Sequence, residues 1–169
     1  MNGFTEIPVA DLDPILTRIG EQWMLISATD GERTGVMTAS WGGIGIAWGQ
    51  PVAVCLIRPE RLTCTLAERA GRLSLAFLQE RYRPALRFCG THSGREYPDK
   101  YAAAGLTALY ADGVPLPQEA ETVLLCKTLY TGQLCAQRFL RQDLLAAHYA
   151  AGGLHRVFVC RIEKVLKKG

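Results

Sequence analysis

Residues 37 to 63, MTASWGGIGIAWGQPVAVCLIRPERLT, combine a turn of small residues with an apolar strand and a basic end. Small residues leave the backbone amides of the first part open to close approach by a ligand. The stretch also carries hydroxyls, flat indole faces and fixed positive charge, at Thr38, Ser40, Trp41, Trp48, Arg58 and Arg61. This combination within one strand-turn-strand unit predicts a site for an aromatic, phosphorylated cofactor.

Short strands are predicted on both sides of this stretch. Residues 22–29 form an apolar run, and Asp30-Gly31 is a hairpin signal whose second strand covers 36–40. Further apolar or alternating runs predict strands at 51–58, 72–78, 122–129 and 156–165. Short helices are predicted at 63–71 (with Thr63 as its cap), 84–90, 99–105 and 142–149. Because no long crossover helix separates the strands, an antiparallel barrel or sandwich with short helices is expected.

The chain shows no repeat, low-complexity tract or linker. Residues 111–120, ADGVPLPQEA, are rich in turn formers, and we expect them to form a surface loop. Residues 1–169 are therefore predicted to be one domain.

Composition excludes several function classes. The hydrophobic fraction is 49% and the charged fraction 21%, which is typical of a globular protein. No run reaches the roughly 20 apolar residues of a membrane span, and the N-terminal sequence lacks the pattern of a signal peptide, so we expect a cytoplasmic protein. A net charge of +3, with basic residues spread along the chain, argues against nucleic-acid binding.

The six cysteines form no metal-binding or disulfide pattern. None belongs to a CxxC pair, and the three histidines have no zinc-ligand spacing with them, so no metal site is predicted. We interpret the cysteines as reduced structural thiols. Cys64 and Cys89 lie beside basic segments that could lower a thiol pKa, which leaves a redox-active thiol open.

Two basic segments are candidates for binding a phosphate. Arg58 to Thr63 supplies guanidinium groups, a hydroxyl and a helix start within six positions. His92 to Lys100 adds hydroxyl, glycine and cation, with Lys100 at a helix start where helix electrostatics does not favour a cation. The alternative is a pair of unrelated basic loops with solvated side chains.

Four motifs, in this order and spacing, resemble the flavin reductase-like family of FMN-binding split barrels: MTASWGG, PVAVCLIRPERLT, LSLAF and CGTHSGREYPDKYAAAGLT. The resemblance covers residues 20–165 and implies a homodimer built on a six-stranded antiparallel Greek-key split barrel. It implies FMN near the dimer interface, with Thr38, Ala39, Ser40 and Trp41 along the flavin ring. It further implies Arg58 and Thr63 near the ribityl chain or phosphate, and Ser93, Arg95 and Lys100 completing the phosphate site.

The chain departs from the family pattern at one position and matches it at another. Many members carry asparagine shortly before the MTASW-like stretch, where this chain has Thr34-Gly35-Val36. His155 fits a histidine often found before the last strand. That histidine is interpreted either as a polar residue at a strand entrance or as part of a nicotinamide site.

The resemblance predicts an NAD(P)H-dependent FMN reductase in which the flavin carries the chemistry, so no side chain is assigned as catalytic. A nicotinamide would bind transiently, because no GxGxxG fingerprint follows a strand, and NADH and NADPH stay undistinguished. One alternative is a flavoredoxin-type carrier with tightly bound FMN and a redox partner protein. Another is a split-barrel binding protein without enzymatic activity.

Overall fold

The computed structural model describes residues 3–8 and 18–169. Part of the N-terminal sequence that argued against a signal peptide lies outside these ranges. The strands are β1 (Phe4–Ile7), β2 (Met24–Thr29), β3 (Thr34–Ala39), β4 (Gly42–Ala47), β5 (Gln50–Ile57), β6 (Arg72–Phe77), β7 (Ala108–Ala111), β8 (Val114–Pro117), β9 (Thr122–Gln133) and β10 (Arg156–Lys168). The α-helices are α1 (Leu62–Ala70), α2 (Arg83–Thr91), α3 (Lys100–Ala103) and α4 (Gln142–Tyr149). Short non-α turns cover Arg18–Gln22, Glu80–Tyr82 and Ala136–Arg138.

Eight strands form one antiparallel sheet in the order β3-β2-β6-β9-β10-β5-β4, and β1 pairs with β10 beside this path. Strands β7 and β8 form a separate hairpin. The predicted split barrel with short helices is confirmed, but the main sheet has eight strands instead of six. The two additional strands are β1 and β4, and β4 was expected to be part of a turn.

β4 forms because GGIGIA pairs with β5 over its whole length, from Gly42 opposite Cys55 to Ala47 opposite Gln50. At Gly42 the φ angle is 151°, and a Cβ would lie 2.4 Å from the Val54 carbonyl oxygen, so only glycine fits. The hairpin continues to Trp48 and Gly49 at its tip. Six strand residues therefore separate Trp41 from Trp48, and Trp48 does not line the groove described below. The expectation that both indoles serve one site is wrong for Trp48.

Strand alternation divides the core in two. Met24, Ile26 and Ala28 of β2 belong to a cluster inside the barrel, which also takes residues from α1, β5, β6, β9 and β10. Leu25 belongs to a second cluster, between the other face of the sheet and α2, α3 and the β7–β8 hairpin. This second layer holds α2 and the following loop against β3. None of the helices in the described ranges is long and apolar enough to cross a bilayer.

The turn-rich segment 111–120 is not a surface loop. Val114–Pro117 is buried throughout as β8, and the Ser74 hydroxyl donates to the Pro115 carbonyl. Prolines are tolerated in β8 because it pairs with β7 in a two-stranded hairpin. The backbone on its other side bonds to no strand of that sheet in the described ranges, so a missing N–H group is acceptable there. The helix at 62–70 also differs in its cap: Arg61 is the N-cap residue, none of the described side chains caps the helix, and Thr63 lies inside its first turn. Gly71, the last residue of the predicted range, ends this helix in the left-handed region with φ 62°.

Candidate functional site: a groove along the edge of β3

The groove follows the open edge of β3, which pairs with β2 alone among the strands of the described residues. The Val36 carbonyl accepts a hydrogen bond from Lys100 Nζ at 3.0 Å, so it points away from β2. Backbone groups two residues apart on a strand face the same side. The N–H and C=O of Thr38 therefore face the open edge as well, where they offer a donor and an acceptor next to each other.

The Thr38 side chain forms a structural hydrogen bond to another element of the fold. Its hydroxyl donates to the Leu86 carbonyl of α2 at 2.5 Å, and a Cβ at Gly90 would lie 3.5 Å from the Thr38 Cβ. The hydroxyl predicted as a ligand contact is thus already bonded to α2. What Thr38 presents to a ligand is its backbone.

Two adjoining cavities form the groove, and they share Met37 and Arg61. The ring cavity has a volume of about 210 Å³ and is lined by Met37, Thr38, Ala39, Ser40, Trp41, Leu56, Arg58, Arg61 and His155. The anion cavity has a volume of about 370 Å³ and is lined by Val36, Met37, Glu60, Arg61, Leu62, Thr63, Thr91, Ser93, Gly94 and Lys100. The predicted segments 38–41, 58–63 and 93–100 therefore meet along one surface.

An aromatic cluster closes one side of the ring cavity. The Trp41 ring lies 5.2 Å from the His155 ring and 5.0 Å from the His148 ring, centroid to centroid. His155 Nδ1 is 2.7 Å from the Tyr149 hydroxyl. Burial, together with the nearby Arg58 charge, lowers the pKa of His155 to about 4. His155 is therefore neutral at physiological pH, held between β10 and α4.

The two arginines that follow β5 point to different parts of the groove. Arg58 lines the ring cavity and donates to the carbonyls of Gly153 at 3.3 Å and His148 at 3.2 Å. Arg61 lines both cavities and donates to the Gly90 carbonyl at the end of α2. Arg61 is absent from the residues implied by the family resemblance, but the sequence pattern had identified it as a fixed positive charge of the predicted cofactor site.

The anion cavity lies at the N-terminus of α1. No side chain in the described part of the chain caps this helix, and the Cys64 amide donates to the Arg61 carbonyl at 2.9 Å. The amides of Leu62 and Thr63 precede it at the start of the helix, where backbone amides attract anions. Thr63 and Ser93 line the same cavity, one from the helix and one from the loop after α2. The Thr63 side chain also packs on Gly35, where a Cβ would come within 2.9 Å of Thr63 Oγ1. A side chain at position 35, two residues before MTASW, would therefore clash with Thr63 in this chain.

Lys100 has a structural role that the sequence did not reveal. It is 3% exposed, and its Nζ donates to the carbonyls of Val36 at 3.0 Å, Cys89 at 2.8 Å and His92 at 2.6 Å. An ammonium group has three donors, so all of them are in use. Burial lowers the Lys100 pKa to about 8. The expected direct phosphate contact is thus replaced by bonds that tie β3, α2 and the following loop together.

Arg95 connects the two basic segments. Its Nη1 donates to the Glu60 carbonyl at 2.7 Å, and its backbone N–H donates to Ser93 Oγ at 3.1 Å. The side chain lines a third cavity, the outer cavity, which is lined by Gly94 but not by Ser93. The outer cavity is lined by Glu32, Arg33, Thr34, Leu62, Gly94, Arg95, Pro98, Asp99, Lys100, Tyr101, Ala108 and Tyr110.

Neither cysteine near the basic segments is an activated thiol. Cys64 and Cys89 are both buried, and burial raises the pKa of each to about 11. A thiolate is the reactive form, so both are unreactive at neutral pH. Within residues 3–8 and 18–169, no group of three His, Cys, Asp or Glu side chains could hold a metal ion.

Comparisons with solved structures agree with this fold. The structure of an FMN-binding domain of a flavin reductase-like enzyme from Shewanella baltica aligns with a TM-score of 0.71 at 14% identity, covering 99% of this chain and 78% of that one. A flavoredoxin from Methanosarcina acetivorans aligns with a TM-score of 0.68 at 16% identity, covering 87% and 68%. An NADH:FAD oxidoreductase from Streptomyces globisporus, solved with NAD and FAD fragments, aligns with a TM-score of 0.65 at 14% identity, covering 86% and 74%.

These similarities show a shared fold. A search of curated protein sequences finds no match. The sequence model of the flavin reductase like domain matches residues 16–168, nearly the whole chain. With the edge of β3, the aromatic cluster and the helix N-terminus joined in one groove, the chain belongs to the flavin reductase-like family.

Proposed function

We propose that this chain is an FMN-binding oxidoreductase of one domain that takes hydride from NADH or NADPH. The observation that carries this proposal is the continuity of the groove. It joins an open backbone edge at Thr38, through the shared residue Arg61, to the uncapped N-terminus of α1. One end suits a polar aromatic ring and the other suits a phosphate.

The ring cavity fits the polar edge of a flavin. That edge carries an N–H donor and carbonyl acceptors, and the Thr38 backbone offers the matching acceptor and donor. Ala39 and Ser40 are small enough to let the ring approach the strand, and Trp41 supplies an aromatic wall. Arg58 places a fixed positive charge at this cavity, which favours negative charge developing on a bound ring.

The anion cavity fits a phosphate. The first-turn amides of α1, the hydroxyls of Thr63 and Ser93 and the guanidinium of Arg61 are the donors a phosphate needs. Arg95 adds charge from the neighbouring outer cavity. Lys100 supports these donors by fixing the loop that carries Ser93.

Bound FMN would supply hydride acceptance and delivery, which no side chain provides. The chain's own part is to hold the ring edge on β3, to anchor the phosphate at α1 and to exclude water with Trp41 and the neutral His155. We assign no catalytic side chain. His155 belongs to the aromatic wall through its bond to Tyr149, instead of serving as an acid or base.

A homodimer is part of the proposal because large apolar side chains are exposed on the β4–β5 hairpin and on β9. Ile46 and Trp48 of the β4–β5 hairpin are 74% and 64% exposed, and Leu129 and Tyr130 of β9 are also exposed. β4 is an edge strand, and an apolar edge strand is normally covered by a partner. A second copy of the chain would cover this surface and adjoin Trp41. Light scattering of the purified protein measures the mass directly.

The proposal is tested by adding FMN to purified protein and recording its absorption spectrum before and after anaerobic addition of NADH or NADPH. Retained yellow colour that bleaches with a nicotinamide supports the proposal. FMN that binds but is reduced only by a partner reductase identifies a flavoredoxin-type electron carrier, in line with the fold shared with flavoredoxins. Failure to bind FMN would favour a non-enzymatic binding protein.

A further inference from the structure

Helix α4 is exposed along most of its length, and its one buried residue lies behind the ring cavity. Of the residues Gln142–Tyr149, only Tyr149 is buried. Its ring makes an edge contact with the Phe139 ring at 5.7 Å and lies 5.6 Å from the guanidinium carbon of Arg58. Tyr149 does not line the ring cavity, whereas Arg58 and His155, which it contacts, both do. The helix therefore places this one side chain against two residues of the cavity wall.

The hydrogen-bond inventory favours Tyr149 as the donor in its bond to His155. The bond joins the Tyr149 hydroxyl and His155 Nδ1 at 2.7 Å. Burial raises the pKa of Tyr149, so the hydroxyl keeps its hydrogen at neutral pH. Nδ1 is the one partner of this hydroxyl in the described part of the chain. If Nδ1 carried the hydrogen of the imidazole, the tyrosine hydrogen would have no acceptor there, whereas a bare Nδ1 accepts it.

The other ring nitrogen of His155 meets solvent at the ring cavity. A neutral imidazole carries one N–H, so a bare Nδ1 leaves the hydrogen on Nε2. Nε2 has no hydrogen-bond partner within residues 3–8 and 18–169. It is not fully buried, because among the described residues that are not exposed, Arg72 Nε is the one fully buried side-chain nitrogen or oxygen without a partner. Since His155 lines the ring cavity, Nε2 is accessible from that cavity.

The same segment fixes the cation beside this imidazole. Arg58 donates to the carbonyls of His148 at 3.2 Å and Gly153 at 3.3 Å, which lie on either side of Tyr149 in the chain. A Cβ at position 153 would lie 2.9 Å from Arg58 Nη1, so glycine leaves the room that the guanidinium occupies. Burial and the Arg58 charge keep the pKa of His155 at about 4. The cavity wall thus holds a fixed cation and a neutral imidazole next to each other.

We propose that Tyr149 is a positioning residue whose hydroxyl fixes His155 as the Nε2–H tautomer, so that a neutral N–H donor faces a carbonyl oxygen of a ring bound in the ring cavity. Tyr149 touches no ligand itself and acts through His155. The inference rests on the proposed function for the identity of the ring, because a flavin and a nicotinamide both carry a carbonyl oxygen. The tautomer is a property of the chain alone and is tested without a ligand.

The first test is nitrogen NMR of the ligand-free protein at neutral pH, because bare and protonated imidazole nitrogens have clearly different chemical shifts. The chain has three histidines, and the signals lost in His155→Gln identify those of His155. The wild type should show a bare Nδ1 and a protonated Nε2. Tyr149→Phe removes the hydroxyl, so His155 should then populate both tautomers.

Tyr101→Phe is the matched control for this spectrum. It also removes a buried tyrosine hydroxyl, which lies 2.6 Å from Ser27 Oγ, but Tyr101 belongs to the core cluster on the other face of the sheet. The control should lose stability as Tyr149→Phe does and leave the His155 signals as in the wild type.

The second test measures the FMN dissociation constant and the KM and kcat for NADH. If a flavin carbonyl accepts from Nε2, Tyr149→Phe should weaken FMN binding about fivefold, as expected for a neutral hydrogen bond that is partly lost. If the nicotinamide carbonyl accepts, KM for NADH should rise by about the same factor with FMN affinity unchanged. His155→Gln keeps an amide N–H donor that does not depend on a tautomer. Adding Tyr149→Phe to His155→Gln should therefore cause no further change in either constant.

A His155 tautomer that is the same in the wild type and in Tyr149→Phe would overturn the inference. A bare Nε2 in the wild type would do so as well. A changed tautomer with unchanged FMN affinity and unchanged KM would show that the imidazole donates to neither ring, which also overturns it. Failure of the wild type to bind FMN would reject the proposed function, and the nitrogen shifts would still decide whether Tyr149 fixes the tautomer.

Discussion

The two ends of the groove are built from different physical interactions. Around the ring cavity, His155, Trp41 and Tyr149 pack as rings, and burial keeps the histidine neutral. Around the anion cavity, cations hold the backbone in place: Lys100, Arg61 and Arg95 each donate to main-chain carbonyls. A cation near a proposed phosphate site is therefore not automatically a ligand contact. All three N–H donors of Lys100 bond to main-chain carbonyls. Each arginine has five N–H donors, and Arg61 and Arg95 use only some of them in bonds to main-chain carbonyls.

Because of this difference, we expect low pH and substitutions to affect the two ends of the groove differently. The ring end should depend on a group staying neutral, and the anion end on a group staying charged.

Lys100→Met should cause the largest loss of stability. The substitution removes the donor from three carbonyls that are packed among β3, α2 and the loop. Since each buried acceptor left without a donor costs about 1–3 kcal/mol, we expect the free energy of unfolding to fall by about 3 to 5 kcal/mol. Urea denaturation measures it. Lys127→Met, at an exposed lysine of β9, is the control and should change stability little. A Lys100→Met protein as stable as the control would contradict the structural role.

His155 should make the ring end sensitive to acid. Its pKa is about 4 in the folded chain against 6.5 ordinarily, so between these values the unfolded chain binds a proton that the folded chain does not. The free energy of unfolding should therefore be unaffected by this group above pH 6.5 and should fall as pH drops toward 4, by about 3 kcal/mol in total.

His155→Gln should abolish this part of the pH dependence when urea denaturation is repeated between pH 7 and 4.5. His148→Gln is the matched control, because His148 also contacts Trp41 but is exposed. It should keep the slope of the wild type. Identical slopes in the wild type and His155→Gln would show that the aromatic cluster does not depend on neutral His155.

Local patterns predicted most of the fold. Apolar alternation identified β2, β3, β5, β6, β9 and β10, and the helix at 142–149 was predicted with its observed bounds. β4 was missed because GGIGIA has few side chains to show a strand period, and it forms through pairing with β5. β8 was missed because prolines in VPLP suggest a loop, whereas burial against Ser74 holds it as a strand.

The sequence predicted which segments form the candidate site, but it did not predict the contacts that individual side chains make there. The three segments do meet in one groove, since motif order fixes which loops follow which strands. Sequence alone could not show that Lys100 reaches three carbonyls, that the Thr38 hydroxyl reaches Leu86, or that Trp48 lies at a hairpin tip. Those outcomes depend on distances between residues far apart in the chain.

Arg95→Ala tests whether a cation at the anion end also serves a ligand. If Arg95 contacts a flavin phosphate, its loss should weaken FMN binding by about 2 kcal/mol, or about thirtyfold, because a hydrogen bond to a charged group contributes about 1.5 to 3 kcal/mol. Titration of FMN fluorescence measures the affinity. Arg87→Ala, at an exposed arginine of α2 that lines none of the three cavities, is the control. Equal affinity in both variants would leave Arg95 with only its bond to the Glu60 carbonyl.

The smallest effect is expected for modification of the buried cysteines near the anion cavity by a thiol reagent. Cys64 and Cys89 are buried with pKa values raised to about 11, and Cys135 is the exposed cysteine. A thiol reagent at pH 7.5 should therefore modify Cys135 in the folded protein and leave Cys64 and Cys89 unmodified until denaturant is added. Peptide mass mapping identifies the modified positions, and Cys135→Ser is the control that should remove the fast reaction. Rapid modification of Cys89 in the folded chain would mean that the nearby Lys100 charge activates the thiol, so that the anion end would contribute reactivity as well as binding.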